Sequence, residues 1–417
     1  MSTEAMRSET TRINTPATNG DRLWADIIST ARFGAADKGG VTRLTLTEED
    51  RQVRDWFVSE CRTLGCTVEV DAIGNIFATY AGEDMSLPAI AVGSHLDTQP
   101  QGGRFDGILG VLAGVEILRT LRESATRLRH PLVVVNWTNE EGSRFSPAML
   151  GSGVFAGALS IDDARARSDR EGVTVGSALD AIGYRGEAKV DPASFAAYVE
   201  LHIEQGPLLE ASATEVGVVT GIQGLRWFDV VITGTEAHAG STPMAQRDDA
   251  LVAAAEVVLA VRDIARQNPP GVGTVGFVEV GPNSRNVVPG SVRLQIDMRH
   301  PSETGLNQMQ AAVEDAVRKA GPGVALNHIW SKAPVVFDPA IVNAVRASTE
   351  ALGYSATDMV SGAGHDAAHM ATITPTAMIF VPSKDGLSHN EAEYTAPEEC
   401  ARGAEVLFQT ILEIDRR

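Results

Sequence analysis

Residues 87–121 read LPAIAVGSHLDTQPQGGRFDGILGVLAGVEILRTL, and this stretch decides the fold class. Leu87 to Val92 is a short apolar run that stops at G-S-H-L-D-T. From Gly107 to Leu121 the pattern changes period: Ile108, Leu109, Val111, Leu112, Val115, Leu118 and Leu121 recur at helical spacing. A buried strand that feeds a helix is one step of a parallel sheet. The step recurs along the chain. Pro131 to Trp137 is a second apolar run, ending at T-N-E-E-G; Phe195 to Ile203 is a third, ending in H-I-E-Q-G; Ala377 to Val381 is a fourth, followed by Leu387-Ser388-His389. The expected class is α/β, a mostly parallel sheet with helices on both faces. Ligands of open sheets of this kind bind beyond the carboxyl ends of the strands, which is where the polar residues of all four segments fall.

A different texture begins near Leu225. Phe228 to Thr233 alternates like a half-buried strand, and Gln246 to Gln267 is helical, with Leu251, Ala255, Val258 and Val261 on one face. Thr274 to Val280 and Ser291 to Met298 read as strands, Ser302 to Ala320 as a helix, and Val324 to Trp330 as extended chain. The order β-α-β-β-α-β predicts an inserted α+β domain of ferredoxin-like type over 224–333. The main domain is then discontinuous, 21–223 and 334–417, behind a flexible polar tail over 1–20.

Composition narrows the function classes. A chain of 417 residues that is 43% hydrophobic and 21% charged can bury a large core. Thirty-five basic against 54 acidic side chains give a net charge of −19, which argues against a nucleic-acid or anionic-membrane partner. No apolar run reaches the roughly 18 residues that span a bilayer. Cys61, Cys66 and Cys400 form no C-x-x-C pair, a usage that suits a reducing, cytoplasmic compartment.

Several residues at the strand ends carry chemistry. His95 offers an imidazole for a zinc-like ion, and Asp97, two residues on, can accept the other ring N–H. Asp106 precedes the predicted helix; a carboxylate there can cap it or bridge two metal ions. Glu140 and Glu141 are adjacent acids at the end of a buried strand, where one can bind metal while the other takes a proton from water. His202 and His389 complete a set of three histidines. Each also has an ordinary reading, as a loop or core residue; the number and type converging on one rim point to two divalent ions held by N and O ligands, which suits Zn, Mn, Co or Ni. Other patterns fall away. Gly271-x-Gly273-x-x-Gly276 precedes a strand and follows Pro-Pro, unlike a dinucleotide site. His365 and His369 have helical metal spacing without the Glu of H-E-x-x-H. There is no G-x-S-x-G elbow and no G-K-[ST] phosphate loop.

Taken together, G-S-H-L-D-T with G-G-R-F-D-G-I-L-G-V, N-E-E-G-S-R-F, E-L-H-I-E-Q-G, G-T-E-A-H-A-G-S-T-P, N-V-V-P-G with D-M-R-H, S-G-A-G-H-D-A and S-H-N-E span nearly the whole chain. In this set the sequence resembles the two-metal amidohydrolases of the carboxypeptidase G and aminoacylase superfamily. Within it, the resemblance is to the carbamoylase branch: N-carbamoyl-L-amino acid hydrolases, β-ureidopropionases, and allantoate and ureidoglycolate amidohydrolases. The resemblance implies that Asp106 bridges both ions, that His95 and His202 complete one site and Glu141 and His389 the other, that Asp97 orients His95, and that Glu140 is the general base. It implies that the inserted domain is a lid and dimerisation module of a homodimer. From that module His238, Asn286 and Arg299 would face the substrate, His238 reaching the partner subunit's site and helping to stabilise an oxyanion. Gln205 would hydrogen-bond the ureido group, Gly364 would offer a backbone contact, and His365 is a further candidate.

The implied reaction is hydrolysis of the carbamoyl C–N bond of a carboxylate-bearing ureido substrate, an N-carbamoyl-L-amino acid or N-carbamoyl-β-alanine, giving amino acid, CO2 and NH3. Allantoate or ureidoglycolate is the alternative, with an N-acyl amino acid or dipeptide behind it; a non-catalytic dimeric binding protein is the alternative of another class.

Overall fold

A computed structural model describes residues 16–321 and 323–417. The chain first lays down β1 (Thr67–Val70), β2 (Ile76–Tyr80), β3 (Ala89–His95), β4 (Leu132–Trp137), β5 (Phe195–Ile203) and β6 (Val216–Ile222). It then runs through β7 (Gly224–Thr233), β8 (Ala237–His238), β9 (Val272–Gly281), β10 (Val287–Val288), β11 (Ser291–His300) and β12 (Val324–Lys332). It returns through β13 (Val335–Val336), β14 (Ala356–Ser361) and β15 (Thr376–Val381).

The large sheet has the order β1-β2-β4-β3-β5-β15-β6-β13, with β14 also paired to β6. Its centre, β4-β3-β5-β15, is parallel, whereas β1-β2, β2-β4, β15-β6 and β6-β13 are antiparallel. The four apolar runs are the four parallel strands. Every residue of β3, β4 and β15 is buried, because helices cover both faces and no position of these strands meets water. The helix Ile108–Glu123 is buried nearly all round. It packs on β3 and is itself covered by the helices Gly20–Thr30 and Pro397–Asp415. Its buried Glu116 is held there by Arg22 at 2.6 Å.

Between Ile222 and Gly224 the chain leaves this sheet, and it returns between Lys332 and Val335. The intervening residues form a second sheet, β12-β7-β11-β9, antiparallel throughout. Helices Ala250–Gln267 and Glu303–Ala320 lie on one face, over Phe228, Val230, Ile232, Leu294, Ile296 and Met298. The other face carries Trp227, Val231 and Phe277, all substantially exposed. The large sheet and this one have separate apolar cores.

The predicted tail is corrected at its inner end. Gly20 already starts a helix capped by Asn19, and the Thr18 N–H and hydroxyl both donate to Glu405. Residues 1–15 of the tail lie outside the described residues. Among the described residues no helix is long and apolar enough to cross a membrane.

Candidate metal centre

Parallel pairing aligns the carboxyl ends of β4, β3, β5 and β15, and the site grows from that alignment. His95 is the last residue of β3, His202 the penultimate residue of β5, and Glu140 and Glu141 follow β4 by a few residues. His389 sits on the loop after β15. Asp106 lies one residue before Gly107, whose φ is +68°. A Cβ on Gly107 would lie 2.3 Å from the His95 imidazole, so only glycine permits both the turn and the approach.

The two oxygens of Asp106 face different partners. Its Oδ1 is 3.1 Å from His202 Nε2 and 3.5 Å from His95 Nε2. Its Oδ2 is 3.4 Å from His389 Nε2, which is 3.4 Å from Glu141 Oε2. His95–Asp106–His202 and Asp106–Glu141–His389 are therefore two convergent groups sharing one carboxylate. Glu140 Oε2 stands 3.5 Å from His95 Nε2.

These residues fit a pair of cations. Nδ1 of His95 lies 2.9 Å from the carbonyl of Asp97, and Nδ1 of His202 lies 2.9 Å from that of Ile203. A neutral ring that donates from Nδ1 leaves the Nε2 lone pair for a ligand. Glu141 Oε1 is buried without a hydrogen-bond partner, an arrangement that is costly unless something else satisfies the oxygen. Burial and the Asp106 carboxylate push Glu141 up to about 7. Burial also drives Glu140 well above the carboxylate range, with Asp366, Glu141 and Asp106 adding to it against His95. Asp106 goes the other way: burial raises it, but without metal the rings of His202, His389 and His95 take a proton at Nε2, donate it to Asp106 and hold its carboxyl well below. Packing this many acids together against their own repulsion is what a divalent ion relieves.

Asp97 meets the His95 ring chiefly through its backbone. Its carboxylate is 3.8 Å from His95 Nδ1, and its backbone carbonyl is the nearer partner. The carboxylate instead accepts the backbone N–H groups of Glu140 and Glu141, each at 3.3 Å. It thereby ties the end of β4 to the end of β3. In a turn this tight the carbonyl reaches the ring before the side chain does.

Other supports carry no motif. Gln99 Nε2 donates to Glu141 Oε2 at 2.6 Å. Glu393 accepts the N–H groups of Phe105 and Asp106 at 3.2 and 3.1 Å, and a Cβ on Gly103 would fall 2.2 Å from its Oε1. Arg43 is buried, with Nε donating to the carbonyl of Leu96 at 2.7 Å and Nη1 to that of Phe33 at 2.9 Å. The one sequence signal among them is the i+4 spacing of Glu393 from His389.

The substrate candidates are not all gathered here. Gln205 is: its Nε2 donates to Asp106 Oδ2 at 2.9 Å and to Ser388 Oγ at 3.1 Å. The rings of His365 and His202 are 4.4 Å apart, and His365 Nε2 pairs with Ser361 Oγ at 3.0 Å. Glu200 joins these two histidines, but it already accepts from Ser94 Oγ at 2.7 Å and Ala367 N at 3.0 Å. Gly364 is exposed beside Met149. Arg299 reaches across from the inserted sheet, Nη1 donating to the Gly362 carbonyl at 3.0 Å. His238 and Asn286 stay within the inserted segment. His238 Nδ1 accepts from Gly240 and Ser241, and the Asn286 carbonyl accepts from Ala239. Among the described residues neither contacts the histidine–carboxylate cluster of its own chain.

The model of peptidase family M20/M25/M40 matches residues 91–413. A protein from Rhizobium meliloti named N-carbamoyl-L-amino-acid amidohydrolase is 47% identical over 400 residues, 95% of this chain and 96% of its own. One of the same name from Geobacillus stearothermophilus is 39% identical over 403 residues, 95% of this chain and 98% of its own. A solved amidase of the hydantoinase/carbamoylase family from Burkholderia multivorans superposes with a TM-score of 0.94 at 48% identity, covering 96% of this chain and 99% of that one. The chain belongs to peptidase family M20/M25/M40, and within it to the amidohydrolases of carbamoylase type.

Proposed function

We propose that this protein hydrolyses the carbamoyl C–N bond of N-carbamoyl-L-amino acids, releasing amino acid, CO2 and NH3. The observation that carries the reading is Asp106, with one oxygen toward His95 and His202 and the other toward His389 beside Glu141. The names of the relatives from Rhizobium meliloti and Geobacillus stearothermophilus support the substrate class.

Asp106 would bridge two divalent ions, Zn2+ or else Mn2+, Co2+ or Ni2+. His95 and His202 would complete one site, Glu141 and His389 the other. Such ions supply Lewis acidity when bound, easing loss of a proton from water and polarising a carbonyl oxygen. Glu140 takes the proton of the attacking water and returns it to the leaving nitrogen. Burial raises its carboxyl above the ordinary range, and cations bound beside it would lower it again, leaving a carboxylate able to take the proton. Asp97 fixes the backbone that carries Glu140. Gln205 donates to the ureido oxygen, Gly364 offers its backbone, and Arg299 grips the substrate carboxylate through a planar fork of donors. His238 and Asn286 act from the inserted domain, which serves as lid and dimerisation module. His238 then works on the partner subunit's substrate and helps to hold the oxyanion. The protein would act as a homodimer in the cytoplasm, a compartment its cysteine usage suits.

The test is ammonia release from a panel of carbamoyl-amino acids, carbamoyl-β-alanine, allantoate, ureidoglycolate and acetyl-amino acids. Carbamoyl-amino acids should be the best substrates, with activity lost to a chelator and restored by Mn2+ or Zn2+. Glu140→Gln should keep its metal and lose on the order of 10²–10⁴-fold in kcat. Wild-type turnover by that variant removes Glu140 from the mechanism. A preference for allantoate or acetyl-amino acids removes the substrate assignment.

A further inference from the structure

The inserted sheet carries a cation that the mechanism above does not use. Cross-strand register sets Lys332 opposite Leu225, Leu225 opposite Arg299, and Arg299 opposite Val272. Directly opposed residues share a face. This face is the one without helices: Arg226, Phe228 and Val230, in alternation, are buried, whereas Trp227 and Val231 are exposed. Lys332 and Arg299 thus stand in one row on either side of Leu225. They are two strands and roughly 10 Å apart at the backbone, close enough for two long side chains to meet on one group.

The row abuts the large sheet's body. Arg299 donates to the Gly362 carbonyl, three residues before His365, and a cavity of about 790 Å3 opens there, lined by Trp227, Val272, Phe277, Arg299 and Gly362 but not by Lys332. Lys332 ends β12, just before the chain rejoins the large sheet. The charges that bear on it are those of Glu140 and Asp366, and its own charge, together with burial, lowers His369 to about 4. Arg299 is already neutralised by Asp297 at 2.8 Å. The Lys332 ammonium has neither an ion pair nor a hydrogen bond among the described residues. A substrate carboxylate that reaches Arg299 meets a guanidinium already paired with Asp297, and the unpaired ammonium of the same row offers it a second positive charge.

We infer that Lys332 is a second cation for the substrate carboxylate, closing on it with Arg299 over Leu225. The inference rests on the carbamoyl-amino acid reading and adds to it a specificity requirement for a free carboxylate.

The experiment compares an N-carbamoyl-L-amino acid with its neutral primary amide, using metal-loaded wild type, Lys332→Met and Lys332→Arg. Lys332→Met should raise KM for the acid at least tenfold more than for the amide, and Lys332→Arg should recover most of the loss. Equal changes on acid and amide, or no change on either, overturn the assignment. If Lys332→Met does not fold, Lys332→Gln carries the same comparison. Failure of wild type to turn over either compound defeats the reading of the reaction alone. Calorimetric titration with the carbamoyl acid then decides Lys332: tenfold weaker binding to the variant supports it, while equal binding, or none to wild type, overturns it.

Discussion

Gly107 has no side chain because the His95 ring occupies the place of one. With φ at +68° and the imidazole 2.3 Å from any Cβ, Gly107→Ala must strain the turn and displace a ligand together. Backbone strain of this kind costs about 1–3 kcal/mol, and His95 shifts away from Asp106. We expect Gly107→Ala to lower the stability of metal-free protein by that amount and to weaken metal binding at least tenfold, read by denaturant unfolding and metal titration. Unchanged metal affinity would show that the Gly107 contact does not position His95. At this scale the sequence was legible in chemistry and less so in geometry. The five expected ligands are the five that converge, because ligand chemistry needs particular side chains. Asp97 meets the His95 ring through a carbonyl that every residue owns, a contact that no side-chain pattern announces.

At the scale of elements, the site depends on strand ends that are held still. Residues 40–46 precede the span matched by the family model, yet they brace the end of β3. Arg43 lies buried against the carbonyls of Leu96, Thr30 and Phe33. Burial pulls its pKa down to about 10, the attraction of Asp50 and Asp97 opposing this, so the guanidinium stays charged at neutral pH. Arg43→Met should leave the Leu96 and Phe33 carbonyls without donors, at about 1–3 kcal/mol each, and should loosen metal binding through His95. Denaturant unfolding and metal titration of this variant check both, and wild-type values in both would mean that the segment is only a covering. The parallel strands could be read from their continuous apolar runs, since strands buried on both faces admit no alternation. Arg43 could not, because a buried arginine looks in sequence like any surface one.

For the whole molecule, the order β-α-β-β-α-β predicted the topology of the inserted sheet, whose spatial order is β12-β7-β11-β9. The antiparallel margins of the large sheet were not legible. β6, Val-Gly-Val-Val-Thr-Gly-Ile, is broken by glycines and a threonine, and β14 is largely exposed, so neither shows the unbroken apolar run that marks the central strands. Convergence of distant residues is likewise a property of the fold rather than of any segment: His95 and His389 are brought to one carboxylate only because β3, β5 and β15 are parallel neighbours. The most direct test of that convergence is anomalous diffraction from crystals of the protein loaded with Zn2+ or Mn2+. Two peaks per chain are expected, one among His95, Asp106 and His202 and the other among Asp106, Glu141 and His389. A single peak, or ions bound away from Asp106, would contradict that convergence.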